Sequence, residues 1–184
     1  MNYVEPKDVL TFWFEEVDSS QWYKKDPNFD SLIETRFGKV IESALDGELI
    51  KWEQDDDGRL ALIIILDQFC RNIFRDTPKA FAGDARALRI AQDAIQNDAL
   101  DKPHPHLSYN QFFLMPLMHS ESISVQDMSL PLFKAYTHEM TYKYAVKHRD
   151  IIAQFSRYPH RNKILKRTSS EAESEFLKQP GSSF

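Results

Sequence analysis

The segment FSRYPHRNKILKR, residues 155–167, gathers side chains that donate hydrogen bonds. It holds three arginines, two lysines, a histidine and an asparagine, and it has no carboxylate. Between Lys143 and Arg167, eight Lys and Arg residues stand against a single Asp. The whole chain has a formal net charge of −5, so the remainder carries −12. The basic charge is therefore concentrated in one short part of an otherwise acidic chain.

Arginine binds carboxylates and phosphates through paired hydrogen bonds, so this segment predicts an anion site. The residues that we assign to it are Arg157, His160, Arg161 and Asn162. A structural alternative stays open, because cations at a helix C-terminus satisfy carbonyl groups and oppose the helix dipole. Acidic helices elsewhere in the chain could also neutralise the segment.

A second polar group lies within the apolar segment RLALIIILDQFCRNIFR, which we predict to be a central helix. At 100° per residue, Asp67, Gln68, Arg71, Asn72 and Arg75 fall within an arc of roughly 140°. One interpretation is a structural ion pair of Asp67 with Arg71, with the amides tying down nearby loops. In the other, Arg71, Asn72 and Arg75 point into a pocket that binds a carboxylate or phosphate.

The segment MHSESISVQD holds a third polar group and follows the buried, proline-containing stretch NQFFLMPLM. His119 beside Glu121 could serve as a metal ligand or as an acid/base pair. No HExxH pair is present, and metal ligands come in sets of three or four, so we expect no metal and no cofactor. A histidine that ends a helix and binds backbone carbonyls is a commoner arrangement.

Helices must position these groups, because only five glycines occur in the chain and the apolar residues recur at helical spacing. Asp26 and Pro27 predict a helix start, and Gly47 predicts its end. The segment DARALRIAQDAIQ predicts another helix. Two further helices are expected over 125–144 and 145–157. The predicted core comprises Trp13, Ile64, Leu66, Phe69, Phe113, Leu117, Ile152 and Phe155.

Length and composition predict one all-helical domain over residues 1–184, ordered from about 5 to 178, with a polar tail over 179–184. The single Cys70 fits a reducing compartment. The N-terminus has neither the basic start nor the apolar stretch of a signal peptide, and no apolar run approaches a membrane span. We therefore expect a cytoplasmic protein that does not enter a membrane.

Together, the motifs GRLALIIILDQFCRNIFRDTPKAFAGDARAL, FFLMPLMHSE and HRDIIAQFSRYPHRNKILKR resemble the bacterial family catalogued as domain of unknown function 924. The resemblance implies packed antiparallel helix pairs in a tetratricopeptide-repeat-like superhelical array, and it implies no activity. The recurrent polar residues of the family map onto Asp67, Gln68, Arg71, Asn72, Arg75, Asp84, His119, Glu121, His148, Arg157, His160, Arg161 and Asn162. Ser156 and Lys166 stand where similar proteins usually have glycine. If those glycines serve left-handed turns or close ligand approach, we expect an altered loop and a weakened site here.

We therefore expect a protein that binds an anionic small molecule or an acidic peptide. We also expect Arg71, Arg75, Arg157, His160 and Arg161 to meet across one cleft with too few carboxylates to neutralise them. The alternative is a hydrolase or transferase in which His119 or His160 acts as acid/base, oriented by Glu121 or Asp67, on a phosphate- or carboxylate-bearing substrate. The acidic balance outside the basic segment argues against nucleic acid. The sequence does not determine the oligomeric state.

Overall fold

The chain is helical along its length. The computed structural model describes residues 3–183, and none of these lies in a β-strand. Short 3-10 turns and two π-helical segments, Phe12–Glu16 and Ile64–Phe69, connect its α-helices. The α-helices are α1 (Pro6–Thr11), α2 (Pro27–Leu45), α3 (Asp56–Ile63), α4 (Cys70–Ile73), α5 (Asp84–Gln96), α6 (Ser108–Met118), α7 (Ile123–Tyr136), α8 (Glu139–Phe155) and α9 (Glu171–Phe176). The predicted all-α single domain is confirmed.

The predicted capping residues set the bounds of α2. The Asp26 carboxylate accepts hydrogen bonds from the backbone N–H groups of Asn28 and Phe29, at 2.9 and 3.4 Å, and Pro27 is the first helical residue. Past the other end of the helix, Gly47 has a φ of 82°, in the left-handed region that glycine adopts without steric cost. The predicted start and end signals of α2 are therefore confirmed.

The central helical segment runs from α3 through Ile64–Phe69 into α4, and its middle is fully buried. In the π-helical part the backbone closes i→i+5 hydrogen bonds, as when Cys70 N–H donates to the Ile65 carbonyl. Helix α3 packs against α1, α5 and α6, and the π-helical part packs against α2, α5 and α6. Every polar side chain in this part of the segment must therefore find a partner inside the protein.

Aromatic rings fill the core around the central segment. The Phe69 ring lies 5.1 Å from Phe37 and 5.5 Å from Trp13, measured between centroids, and Trp13 lies 5.6 Å from Phe112. Of the eight predicted core residues, seven are buried. The exception is Phe155, which is half-buried and packs on Phe176, 5.0 Å away, because it ends α8 at the edge of a smaller apolar cluster.

The predicted boundary between the last two long helices is wrong by several residues. The chain breaks at Thr137, which is extended with φ −130° and ψ 171°, and α8 then begins at Glu139. The Thr137 hydroxyl donates to the Phe133 carbonyl at 2.6 Å, so this side chain competes with helix continuation. Helices α7 and α8 pack directly on each other.

The C-terminal residues pack on α9. Ser170 and Glu173 form a capping box at its start. Of the predicted polar tail, residues 179–183 are described and residue 184 lies outside the described part. Ser182 is buried, and its hydroxyl donates to the Leu177 carbonyl at 3.2 Å. None of the helices over residues 3–183 combines the length and apolar character that crossing a membrane requires.

Candidate anion-binding site

Asp67 is a buried carboxylate at the centre of the candidate site, with only 1% of its surface exposed. Its Oδ1 lies 2.7 Å from Nδ1 of His119 and 3.0 Å from Nη1 of Arg71. Its Oδ2 accepts a 2.5 Å hydrogen bond from Gln68. The i,i+4 pair of Asp67 and Arg71 that the sequence suggested is therefore present, and His119 joins it from the end of α6.

Arg71 links Asp67 to a second carboxylate. Its Nη1 and Nη2 donate to the two oxygens of Asp84 at 2.8 and 3.0 Å, and Nη1 also donates to the Asp67 carbonyl at 2.7 Å. Asp84 reaches this point because α5 begins directly against the π-helical part. A Cβ atom on Gly83 would lie 2.5 Å from the Leu66 carbonyl oxygen, so only glycine permits this approach.

Arg161 approaches Asp84 from the 3-10 turn Pro159–Arg161. Its guanidinium group stacks between two rings, 4.8 Å from the Phe81 centroid and 4.5 Å from the Tyr158 centroid. Its Nη1 lies 3.5 Å from Asp84 Oδ2, which is beyond normal hydrogen-bonding distance. Its Nε is buried and lacks a partner, and within residues 3–183 its side chain makes no hydrogen bond. A buried guanidinium group without a hydrogen bond is unusual.

The charges in the cluster shift several pKa values. Burial would raise the pKa of Asp67, but Arg71 and His119 outweigh that effect and hold it below its usual range. Burial lowers the pKa of His119, and the nearby Arg71 and Arg161 lower it further, against the opposing effect of Asp67. Burial, followed by the charge of Arg71, also lowers the pKa of Arg161. Asp67 is thus ionised and His119 neutral at pH 7.

The tautomer of His119 follows from this arrangement. Ionised Asp67 can only accept a hydrogen bond, so neutral His119 carries its proton on Nδ1. Its Nε2 is then a hydrogen-bond acceptor and a base. No group in the described part of the chain bonds Nε2, and 12% of the His119 side chain is exposed.

Gln126 and Tyr158 fix the backbone on both sides of His119. The Gln126 amide donates to the Met118 carbonyl at 2.7 Å and to the Ser120 carbonyl at 2.8 Å. The Tyr158 hydroxyl donates to the same Met118 carbonyl at 2.5 Å. The position of the imidazole is therefore set by two buried side chains that sequence reasoning did not assign to the site.

Glu121 links two loops. Its carboxylate accepts the Tyr158 N–H at 2.8 Å and a pair of bonds from Arg167, at 2.7 and 3.0 Å. His160 lies 5.5 Å from the Tyr158 ring, and burial lowers its pKa to about 4. His148 lies 6.3 Å from His119, and burial lowers its pKa to about 3. Both imidazoles are neutral at pH 7.

The other predicted site residues bind carboxylates outside the cluster or contact loop residues. Asn72 and Arg75 both bind Asp30, with Arg75 Nε at 2.5 Å. Arg157 makes a bidentate pair with Glu173, at 2.6 and 2.7 Å, and Asn162 donates to Ser169 at 3.1 Å. The expectation of one cleft with too few carboxylates is therefore wrong. Acidic helices neutralise most of the arginines, and Asp67 and Asp84 face Arg71 and Arg161.

Two surface cavities lie away from the cluster. One, of about 270 Å³, is lined by Phe12 and Phe29 among others, and one of about 560 Å³ borders Arg157 and Glu173. Neither contains Arg71 or Arg161. Across residues 3–183, no three His, Cys, Asp or Glu side chains are grouped so that they could hold a metal ion. We place the candidate site at the cluster because its geometry leaves buried donor groups unused.

The fold and the buried ion-pair network define an all-α protein with a charged interior site. Over residues 9–181 the chain matches the family described as bacterial protein of unknown function (DUF924), and it belongs to this family. It is also similar to a solved structure of a protein of unknown function, ATU0120, from Agrobacterium tumefaciens. The TM-score is 0.87 at 32% identity, over 94% of this chain and 96% of that chain. No curated protein gave a significant match.

Proposed function

We propose that the protein binds a small anionic compound at Arg161 and Arg71. The observation that carries the proposal is the Arg161 guanidinium group, which is buried against two rings and makes no hydrogen bond within residues 3–183. Asp84, at 3.5 Å, is too distant for a normal hydrogen bond, and a buried charged donor without hydrogen bonds is costly. A carboxylate or phosphate would supply charge-assisted hydrogen bonds. An anion would thus complete a site that is already built.

The start of α5 supports the same location. Asp84 lies in the first turn of this 13-residue helix, and no side chain caps its free N–H groups. A helix N-terminus carries partial positive charge and binds anions through such N–H groups. The side chains of Arg161, Arg71 and Asp84 are 8%, 20% and 24% exposed, so the opening suits a small compound or the acidic end of a peptide.

The proposal also includes a tetratricopeptide-repeat-like arrangement of the helices and a cytoplasmic location. The sequential packing of α5 on α6, α6 on α7 and α7 on α8 supports a tetratricopeptide-repeat-like arrangement of helix pairs. The free, buried thiol of Cys70 is consistent with the reducing cytoplasm, where thiols stay unpaired.

Thermal melting tests the proposal. Phosphate should raise the melting temperature more than chloride at equal ionic strength. A ligand at a hundred times its Kd stabilises by about 2.7 kcal/mol, which is roughly 5–10 °C for a domain of this size. Arg161→Met should abolish most of this gain. Arg149→Met is the matched control, because Arg149 pairs with the exposed Asp127 in the same basic segment. Equal gains in both variants, or no gain in the unaltered protein, would contradict the proposal.

The Asp67–His119 pair favours one second candidate, an enzyme that uses His119 as a general base. A buried carboxylate that holds Nδ1–H and leaves Nε2 to accept a proton is the arrangement that acid/base catalysis needs. The substrate would be a phosphate- or carboxylate-bearing compound held by Arg161. Turnover of a panel of phosphate and carboxylate esters should fall about 100- to 10,000-fold in His119→Gln. A panel that shows no turnover leaves binding as the function.

A further inference from the structure

We propose that the anion bound at Arg161 carries its own hydroxyl group, as hydrogen phosphate and 2-hydroxycarboxylates do, and that this hydroxyl donates a hydrogen bond to Nε2 of His119. The inference rests on the proposed anion site and adds the chemical class of its ligand. The inference follows from the two kinds of group at the site. Arg161 offers hydrogen-bond donors, and Nε2 of His119 offers an acceptor.

Arg71 bridges two carboxylates, one of which contacts His119 and the other Arg161. Asp67 Oδ1 contacts both His119 and Arg71, at 2.7 and 3.0 Å, and Asp84 contacts both Arg71 and Arg161, at 2.8 and 3.5 Å. The two groups are therefore held by one continuous ion-pair network. The charge of Arg161 also acts on the imidazole, because it lowers the pKa of His119.

A second path of contacts joins the same two groups. The Arg161 guanidinium lies over Tyr158 at 4.5 Å, Tyr158 meets His148 edge-on at 5.7 Å, and His148 lies 6.3 Å from His119. Rings and ions thus hold the Arg161 guanidinium and the imidazole in one packed cluster. In the proposed complex, one ligand contacts both groups.

The neutral His119 ring has no donor at Nε2 while Nδ1–H is bound to ionised Asp67. The 2.7 Å hydrogen bond to Asp67 fixes the proton on Nδ1, and Gln126 holds the carbonyls on either side of the residue. An oxyanion without a proton would place a lone pair against the Nε2 lone pair, which is unfavourable. An anion with a hydroxyl group accepts hydrogen bonds from Arg161 and donates one to Nε2 of His119. The tautomer of His119 therefore makes the site selective for such anions.

Isothermal titration calorimetry at neutral pH tests this with two matched pairs of probes. Inorganic phosphate carries a proton and sulfate does not; glycolate carries a hydroxyl and acetate does not. The hydroxyl-bearing member of each pair should bind about tenfold tighter or more, the effect of one hydrogen bond against an unpaired group. In His119→Leu the ratio of phosphate to sulfate affinity should fall to about one while sulfate binding is retained.

The outcomes separate the two proposals. Equal binding of both members of each pair would overturn the hydroxyl inference and leave the anion site standing. Binding of none of the four probes would overturn both. Should His119→Leu fail to fold, nitrogen-15 spectra of the histidine rings in the unaltered protein decide instead. They should show His119 protonated at Nδ1, with an Nε2 resonance that shifts on adding phosphate. A proton on Nε2, or no shift with phosphate, would refute the inference.

Discussion

Ser156→Gly and Lys166→Gly should each stabilise the protein. Both residues have positive φ, 58° and 54°, and they bound the loop that carries Arg161. A left-handed conformation costs a non-glycine residue roughly 1–2 kcal/mol, and glycine avoids this cost. Glycine also makes the unfolded chain more disordered, which offsets about 0.4–1 kcal/mol of the gain. The net stabilisation expected is about 0.5–1 kcal/mol for each substitution.

Urea unfolding and thermal melting measure this gain, which corresponds to about 1–4 °C in the melting temperature. Ser31→Gly is the matched control, because Ser31 is exposed within α2 and has helical geometry. It should lose about 0.5 kcal/mol, the difference in helix propensity. Unchanged or lower stability in both loop variants would show that the left-handed turns carry no strain. Equal stabilisation by Ser31→Gly would show that the effect is unrelated to φ.

Three further predictions concern the core, one close backbone approach and acid. In urea melts, Phe69→Ala should lower the free energy of unfolding by about 3–5 kcal/mol. Phe155→Ala should lower it by less than about 2 kcal/mol, because Phe155 is half-buried. Gly83→Ala should lower the free energy of unfolding by about 1–3 kcal/mol, because its Cβ would lie 2.5 Å from a backbone oxygen. Gly38→Ala should raise it by about 0.5–1 kcal/mol, because a Cβ fits there within a helix. The pKa of His148 is about 3 in the folded protein, below its unfolded value of about 6.5, so its stabilising effect is complete above pH 6.5 and is lost as the pH falls. The unaltered protein should lose about 2 kcal/mol at pH 5 through this group, and a pH-dependent melt of His148→Gln should lack that loss.

Local signals in the sequence were sufficient for much of the fold. Asp26 and Gly47 mark the ends of α2 because capping depends on a few neighbouring backbone groups. The segment DARALRIAQDAIQ is α5 without any change of boundary. The break between α7 and α8 was missed because Thr137 is a weak signal: its hydroxyl bond to the preceding turn depends on a backbone conformation that the sequence does not reveal.

The site was only partly predictable because a uniform helical period does not hold in the central segment. At 100° per residue, Asp67, Arg71 and Arg75 share one stripe, but α4 ends at Ile73, so Arg75 lies in the turn beyond the helix. Arg71 therefore meets Asp84, while Arg75 meets Asp30. The pairing of Asp67 with Arg71 was predictable, since four-residue spacing is local.

Tertiary packing supplies the remaining parts of the site. Phe81 and Tyr158 sandwich Arg161, and neither was assigned to the site from the sequence. The sequence marks Asp84 as the start of a strongly periodic helix, because it follows Gly83. It does not reveal that Asp84 pairs with Arg71. The family resemblance marked Ser156 and Lys166 as positions where glycine would serve a left-handed turn or a close ligand approach. The structure shows positive φ at both, so the turn geometry is kept without glycine.

Arsenate is a phosphate analogue that carries a proton at neutral pH, and arsenic scatters X-rays anomalously. Crystals of the protein soaked in arsenate therefore test the central claim most directly. The account predicts an anomalous peak roughly 4 Å from the Arg161 guanidinium carbon, the distance set by normal hydrogen bonds to its nitrogens. A strong peak only in the cavity beside Arg157, or no peak near Arg161 at saturating arsenate, would contradict the account.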